Sequence, residues 1–412
     1  MRHVVVMVTT SYPRFPGDAI GTFMEPIAKG IAARGHEVHL VAPWHPRLTR
    51  GKTEDGVFLH FFRYAPVPSL NVFGYAEGLR GDVRLRGAAW MAAPFAIAAG
   101  WFEAMRVAQK RRATMMHAHW VVPGGVIAAA ARPSLPLVVS LHGSDVFVAE
   151  HTPAAGVAAR RVFRRAGFVT ACSQDLADRA VRLGASSGRI AVVPYGVDVA
   201  RFRPEPGVRA AMRATIGLPA GATVIAAAGR LVSKKGFEYL IDAIPMVAAP
   251  DAPHLVLAGS GDLDAPLRAR ASASGAVDRI HFVGNLSQDA VGRWFAAADV
   301  AVVPSVRDDS GNVDGLPNTL LEALAAGAAV VTTGAGGISR AVEPGRTATI
   351  VPERDATALA AAIGTLLRDS ARRTAMGEAG RAVVQTGFGW DAVALQFEQA
   401  YERALAFKSL TR

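Results

Sequence analysis

Short apolar runs alternate with helix-forming segments through both halves of this chain, and that alternation restricts the possible folds more than any other feature. In the first half the run Val4–Val8 is followed by a turn over residues 11–21, an amphipathic segment at 23–34 and a second apolar run at 38–42. A strand, a helix and a strand in that order need a crossover connection, so the strands pair in parallel. Gly35 stands where a left-handed residue closes a helix. Further strands are expected at 115–117, Leu137–Leu141, 169–171 and 190–193. The second half repeats the architecture without repeating the sequence, with strands expected at Val224–Ala228, 255–258, 280–283, Val300–Val303 and Val330–Thr333. Between the halves Pro204, Pro206, Gly207, Gly217, Pro219 and Gly221 interrupt regular structure. The reading is an α/β protein with a domain at 1–200, a second at 201–388 and a tail at 389–412. Apolar residues at 390, 393, 397, 401 and 405 give the tail helix-face spacing. With 412 residues, 51% of them hydrophobic, the chain can fill two cores of about 200 residues each.

Several classes are set aside by composition. The first apolar run is shorter than the roughly 7–15 residues of a signal peptide's core, and the Ala-rich stretch 87–102 contains Pro94 and falls short of the ~20 residues that span a bilayer. The single cysteine, Cys172, makes no internal disulfide and no cysteine-ligated metal site; it is read as a small buried residue at a strand end in a reducing cytoplasm. The net charge is +11, almost all of the basic residues being arginine. One cluster is Arg106, Lys110, Arg111 and Arg112. The other, Arg160, Arg161, Arg164 and Arg165, lines one helical face. Two readings stand for these clusters, a solvated helix face and a surface for an anionic membrane. Nucleic acid is not expected as a partner, because no aromatic residues interleave with the basic runs.

Ligands of open α/β sheets collect at the carboxyl ends of the strands, which gathers His117, His119, His142, Asp145 and Ser173 in the first half. In the second half Gly229-Arg230-Leu231-Val232-Ser233-Lys234-Lys235-Gly236 leaves its first strand with fixed cations. The run from Asp314 to Gly327 joins an acid in a Gly/Pro loop to a short helix, expected at 320–326 with Asn318 or Thr319 as N-cap. The first turn of such a helix offers unpaired N–H groups to an anion, and Glu322 projects nearby. A phosphate and two hydroxylated groups can be held there together, the layout of a nucleotide-sugar. Two metal readings fail. Asp262-Leu263-Asp264 follows a Gly-Ser-Gly turn as a surface acid would, and His117 and His119 are read as turned apart by strand alternation with no third ligand.

Taken together, the Gly229–Gly236 loop, Gly259-Ser260-Gly261-Asp262, Val283-Gly284-Asn285-Leu286, the Asp314 to Glu322 run and Gly336-Gly337-Ile338 resemble the second domain of the family 4 retaining glycosyltransferases, the group 1 superfamily that includes glycogen synthases and phosphatidylinositol mannosyltransferases. The first half is similar to the same family in Ser11-Tyr12-Pro13-Arg14-Phe15-Pro16-Gly17, Gly21-Thr22-Phe23, His117-Ala118-His119-Trp120, His142-Gly143-Ser144-Asp145 and Pro194-Tyr195-Gly196-Val197-Asp198. The resemblance covers nearly the whole chain. It implies the GT-B fold, two Rossmann-like parallel-sheet domains facing a central cleft, with the tail helix returning to the first domain.

It also implies an activity: hexosyl transfer from a UDP-sugar or GDP-mannose to a glycan or lipid-linked acceptor, with retention of configuration and without a cofactor or divalent metal. The setting would be cell-surface polysaccharide or glycolipid synthesis, in the cytoplasm or on the inner face of the plasma membrane. By this resemblance Arg230 and Lys235 would hold the donor diphosphate, Glu322 the ribose hydroxyls and Asp314 the sugar hydroxyls. The segment Gly315, Leu316, Pro317, Asn318 and Thr319 would bind the donor, its backbone amides serving sugar and phosphate, with Gly284 and Asn285 beside the base. Gly21 would approach the phosphates, and His142 would sit beside the transferred sugar. The catalytic set is then His142, Asp314, Arg230 and Lys235, while His119, Trp120 and Asp145 are expected at the acceptor. The family's usual Glu at the first acidic position is here Asp314, one methylene shorter. Two alternatives remain in view, a GT-B epimerase of the nucleotide-sugar and a catalytically silent nucleotide-sugar-binding protein.

Overall fold

The computed structural model describes residues 2–410 apart from Gly17, Ala19, Pro68, Ser69, Val72, 75–78, 81–83, Arg86 and Pro250. Gly17, which closes the Ser11 to Gly17 motif, therefore lies outside the described residues. The chain forms two compact units, Met1–Pro194 with Trp390–Arg412, and Tyr195–Gly389. The Pro/Gly-rich segment around 198–221 belongs to the second unit and contains a helix, Val208–Ala214.

The first unit contains β1 (Val4–Val8), β2 (Glu37–Pro43), β3 (Thr53–Glu54), β4 (Val57–Phe62), β5 (Leu79–Arg80), β6 (Arg84–Leu85), β7 (Met115–His119), β8 (Leu137–Leu141), β9 (Phe168–Ala171) and β10 (Ile190–Val192). Its main sheet has the order β10-β9-β8-β7-β1-β2-β4-β3, parallel throughout except for β3 against β4; β5 and β6 form a separate antiparallel pair. Strand alternation sends the side chains of β1 to two cores. Val6 and Val8 pack with the helices Gly87–Lys110, Val126–Ala131 and Pro153–Arg165, whereas Val5 and Met7 pack with Met24–Ala33 and the tail helix Trp390–Leu410. Val393, Phe397, Ala400, Tyr401 and Ala404 of the tail are all buried in that second core. The tail is thus a core element of the first unit. Arg34 and His36 both reach Glu398 on it.

The second unit contains β11 (Val224–Ala228), β12 (His254–Ala258), β13 (Ile280–Gly284), β14 (Val300–Val303), β15 (Val330–Thr333) and β16 (Thr349–Val351), all parallel, in the order β13-β12-β11-β14-β15-β16. Counted from β11 this is the Rossmann order 3-2-1-4-5-6, in which the strand order reverses between β11 and β14. Val197 and Gly389, near the two ends of this unit, are joined by a parallel bridge.

Differences from the sequence reading are local. The stretch 87–102 opens a longer helix, Gly87–Lys110, and among the described residues no helix is long and apolar enough to cross a membrane. β7 continues to His119, two residues past its expected end. Cys172 is half-buried.

Glycines allow the loops at the carboxyl edge of the second sheet to stack backbone on backbone. A Cβ on Gly259, whose φ is +147°, would overlap the carbonyl oxygen of Gly229, and one on Gly336 would overlap that of Asp314. Gly259 N also donates to Gly284 O at 2.8 Å, so the loops after β11, β12 and β13 form one layer. Because Gly259 meets rigid backbone, Gly259→Ala is expected to lower the unfolding free energy by about 1–3 kcal/mol, read from urea denaturation; an unchanged midpoint would mean that the loops separate freely.

Candidate active site

The loops after β11 and β14 flank the point where the second sheet reverses, and an ion-pair cluster joins them. Lys235 Nζ donates to Asp314 Oδ2 at 2.5 Å, Lys234 Nζ lies 3.3 Å from Oδ1, and Ser305 Oγ donates to Oδ2 at 3.5 Å. Both lysines lie on a short turn, Ser233–Lys235, that Gly236 ends in a left-handed conformation with no room for a Cβ against Pro304 O. Burial pushes the Asp314 carboxyl up, but the charges and hydrogen bonds of Lys235 and Lys234 outweigh this and hold it below the usual carboxylate range. Asp314 is therefore an anion set between two cations. The intervening loop 307–313 is ordered by its own contacts: Asp308 Oδ1 accepts from the N–H groups of Ser310 and Asn312, and Arg307 NH1 donates to Gly311 O.

The following helix is Asn318–Ala325, with Pro317 as its N-cap. Asn318 and Thr319 are its first two residues and not its cap, because the fixed φ of proline already sets the extended entry and no side chain caps the end. Leu320 N bonds Pro317 O, which leaves the Asn318 and Thr319 amides with no partner among the described residues. Asn318 is exposed, Leu316 and Pro317 are buried, and Gly315 O accepts from Gly337 N, which anchors the entry to the loop after β15. Glu322, one turn further in, is half-buried and its carboxylate makes no hydrogen bond or ion pair with the described residues. Burial raises its pKa to about 7, against the pull of Lys235 and Arg201. Arg230 and Asn285 are exposed at the same carboxyl edge, after β11 and β13, and Gly284 ends β13 at φ +72°.

In the first unit the reversal falls between β1 and β7. Phe23 immediately precedes the helix Met24–Ala33, and Gly21 O accepts from Met24 N at 2.9 Å. The rings of Phe23 and Trp120 lie 4.8 and 4.6 Å from that of His142, and Trp120 holds an unusual φ of +64° directly after β7. His142 is half-buried. His119 is not an open cleft residue: it is fully buried behind His142, its Nδ1 2.9 Å from His142 Nε2. Residues two apart on a strand share a face, so His117 and His119 are not turned apart; their ring centroids are 4.3 Å apart. His117 is held by Tyr401 OH of the tail at 2.9 Å and by Ser140 Oγ at 2.8 Å. Among the described residues no group of three metal-binding side chains exists. Asp145, expected at the acceptor, faces inward. Its carboxylate accepts from the N–H groups of Val121, His142 and Gly143 at 2.8, 3.2 and 3.0 Å, so it ties the loop that carries His142.

Three features were missed in the sequence. Lys234 pairs with Asp314, for which the Lys-Lys doublet was the available signal. Phe23 contacts His142. A buried Arg14–Asp18 pair at 2.6 Å closes the loop after β1, signalled only by an Arg and an Asp around a Pro-Gly turn.

Cations, an open helix N-terminus and a partnerless carboxylate at the reversal of a Rossmann sheet define a protein equipped for a phosphorylated, hydroxyl-rich ligand. Residues 222–369 match the family model described as glycosyl transferases group 1, and residues 18–196 match the glycosyl transferase 4-like domain. The chain is 29% identical over 393 residues to a GDP-mannose-dependent alpha-(1-6)-phosphatidylinositol monomannoside mannosyltransferase of Mycobacterium tuberculosis, covering 95% of this chain and 96% of that protein. It is 32% identical over 316 residues, 71% of each chain, to D-inositol 3-phosphate glycosyltransferase 2 of Catenulispora acidiphila. Two solved structures share the fold: sucrose-phosphate synthase from Thermosynechococcus elongatus (TM-score 0.75, 22% identity, 98% of this chain and 99% of that one) and Anabaena HepE in complex with UDP (0.74, 20%, 97% and 99%). The fold is GT-B, built of two Rossmann-like parallel-sheet domains, and the chain belongs to the group 1 glycosyltransferases.

Burial holds the pKa of His117 down to about 3, and burial with the neighbouring His117 does the same to His142. An imidazole whose folded pKa lies below its unfolded value of 6.5 contributes stability that is complete above pH 6.5 and is lost as pH falls toward 3, by up to about 1.4 kcal/mol per pH unit for each ring. The NMR resonances of both rings should therefore keep neutral positions from pH 8 to pH 5. Titration of either ring near 6.5 would contradict their burial as neutral groups.

Proposed function

We propose that the protein is a retaining hexosyltransferase that moves a sugar from a nucleotide-diphosphate donor to a lipid-linked or glycan acceptor in glycolipid or cell-surface polysaccharide synthesis. The observation that carries this reading is the partnerless Glu322 carboxylate, beside Lys235, on a helix whose first amides are open. A ribose offers two hydroxyl donors to that carboxylate. A diphosphate is an acceptor for the Asn318 and Thr319 amides and for Lys235, Lys234 and Arg230. As the glycosidic bond breaks, negative charge grows on the leaving phosphate, and preorganised cations stabilise it there. GDP-mannose is the first donor we assign, since the mycobacterial relative is named for it; UDP-sugars are the second class, after the HepE complex with UDP.

In this reading Asp314 stays ionised, and its lysines turn toward the incoming diphosphate while the carboxylate meets the sugar hydroxyls. Held by two ammonium groups, Asp314 makes a poor nucleophile, which favours front-face transfer in which the leaving phosphate takes the acceptor proton. The lysines and Arg230 supply the positive charge that a divalent metal supplies elsewhere. Lys235→Ala should lower nucleoside-diphosphate release from GDP-mannose by about a hundredfold, the effect of about 2.7 kcal/mol of lost transition-state stabilisation. EDTA should leave the rate unchanged, and NMR of the product should give the donor's anomeric configuration. Parent-level turnover in Lys235→Ala, or an inverted product, would overturn the reading.

An anionic membrane surface suits a lipid-linked acceptor and the charge distribution. Met91, Phe95 and Phe102 are 73%, 66% and 55% exposed on the helix Gly87–Lys110, which ends beside the exposed Arg106, Lys110, Arg111 and Arg112. An apolar face with a basic end is the pattern of a helix lying in a lipid interface. In this reading the protein works on the cytoplasmic face of the plasma membrane. The parent should float with vesicles containing anionic phosphatidylglycerol and lose binding at high salt, and Met91→Ser/Phe95→Ser should bind less. Absence of flotation at low salt would remove the membrane assignment.

A further inference from the structure

Two guanidinium groups lie over aromatic rings at the carboxyl edge of the first sheet. Arg63, directly after β4, sets its guanidinium carbon 4.0 Å from the ring centroid of Trp44, the residue after β2. Arg47, in the loop after β2, lies 4.7 Å from the ring centroid of Phe15, in the loop after β1. Backbone bonds knit the three loops together, since Trp44 N donates to Phe62 O at 2.8 Å and Thr49 N to Arg14 O at 2.9 Å. Stacking occupies only the face of a guanidinium, so the N–H donors in its plane stay open. Other cations of these loops are neutralised within the fold, Arg14 by Asp18 and Arg50 by Glu25 and Glu54. Arg47 and Arg63 are exposed, and their side chains make no hydrogen bond or ion pair with the described residues.

We propose that Arg47 and Arg63 form a binding site for a phosphate group carried by the acceptor, on a phosphorylated sugar or a lipid headgroup. This deepens the proposed function and rests on its transfer to an acceptor, which is seated on the first unit because the groups assigned to the donor diphosphate and ribose lie in the second. Ligands of parallel sheets collect where the strand order reverses, here between β1 and β7, and β2 and β4 follow β1 on one side of that point. Trp44 after β2 is thus two strands from Trp120 after β7, about 10 Å at the spacing of neighbouring strands. A sugar ring and the phosphate it carries bridge that span. Two planar forks match the oxygens of a phosphate, and arginines already held on half-buried rings lose little side-chain freedom on binding it. A neutral acceptor would leave both cations without a counter-charge.

The test is NMR of the arginine Nε–H groups during titration with mannose 6-phosphate, with dihexanoyl phosphatidylglycerol below its micelle concentration, and with mannose as the neutral control. The signals of Arg47 and Arg63, assigned through Arg47→Gln and Arg63→Gln, should move with a phosphorylated probe and stay in place with mannose. A response to mannose 6-phosphate supports the site and assigns a sugar phosphate, whereas a response to the lipid alone supports it and assigns a headgroup. The double variant Arg47→Gln/Arg63→Gln should bind the responding probe at least about tenfold more weakly. Arg47→Lys/Arg63→Lys keeps the charge but loses the planar fork, and it should also bind more weakly. Unmoved signals with both phosphorylated probes, equal shifts with mannose, or parent-level binding in the lysine variant would overturn the proposal. Calorimetry with GDP-mannose separates the two readings: the glutamine variant should bind it as the parent does, and a parent that fails to bind it strikes the donor reading without touching the arginine shifts.

Discussion

The bond between Lys235 and Asp314 crosses the point where the second sheet reverses its strand order, and the arrangement of the pocket residues depends on it. Its cation comes from the loop after β11 and its anion from the loop after β14, the two elements that flank the Rossmann crevice. Two half-buried lysines so close together would repel each other and lose hydration; Asp314 compensates both. Lys234 and Lys235 thus share the single carboxylate of Asp314. Glu322 is the contrasting case, a half-buried carboxylate with no hydrogen bond or ion pair among the described residues, whose pKa burial raises to about 7.

The first unit solves a different problem with neutral groups. His117, His119 and His142 are packed ring on ring, and burial keeps them uncharged, so hydrogen bonds and not ion pairs define their orientation. The tail helix enters this arrangement through Tyr401, which ties the end of the chain to the strand that carries the histidines. Deleting the tail would therefore remove both apolar core and a polar partner from the same unit.

How much of this the sequence discloses depends on the range of the contact. The parallel sheets, the Gly35 helix stop and the pocket loops after β11 and β14 follow from local patterns of strand, glycine and helix. The inward turn of Asp145 does not, because its partners are backbone N–H groups of residues 121, 142 and 143, and an acid beside His-Gly-Ser reads equally well as a ligand contact. The burial of His119 escaped for a similar reason: a His-Ala-His segment reads equally well as an open cleft edge until His142, from the loop after β8, is stacked on it. β4 and β16 were missed, one because its aromatic run Val57–Phe62 lies among loops, the other because three residues carry too little pattern. Pro317 rather than Asn318 caps the pocket helix, since proline sets the entry geometry that a capping side chain would otherwise reward.

In the proposed reading the Glu322 carboxylate accepts hydrogen bonds from the ribose hydroxyls of a nucleotide-sugar. Calorimetric titration of GDP-mannose into the parent protein and into Glu322→Gln tests it most directly. A hydrogen bond to a charged group contributes about 1.5–3 kcal/mol, so the account predicts that the variant binds more weakly by about tenfold to a hundredfold while its fold is retained. Equal affinity of the two proteins for GDP-mannose would contradict it.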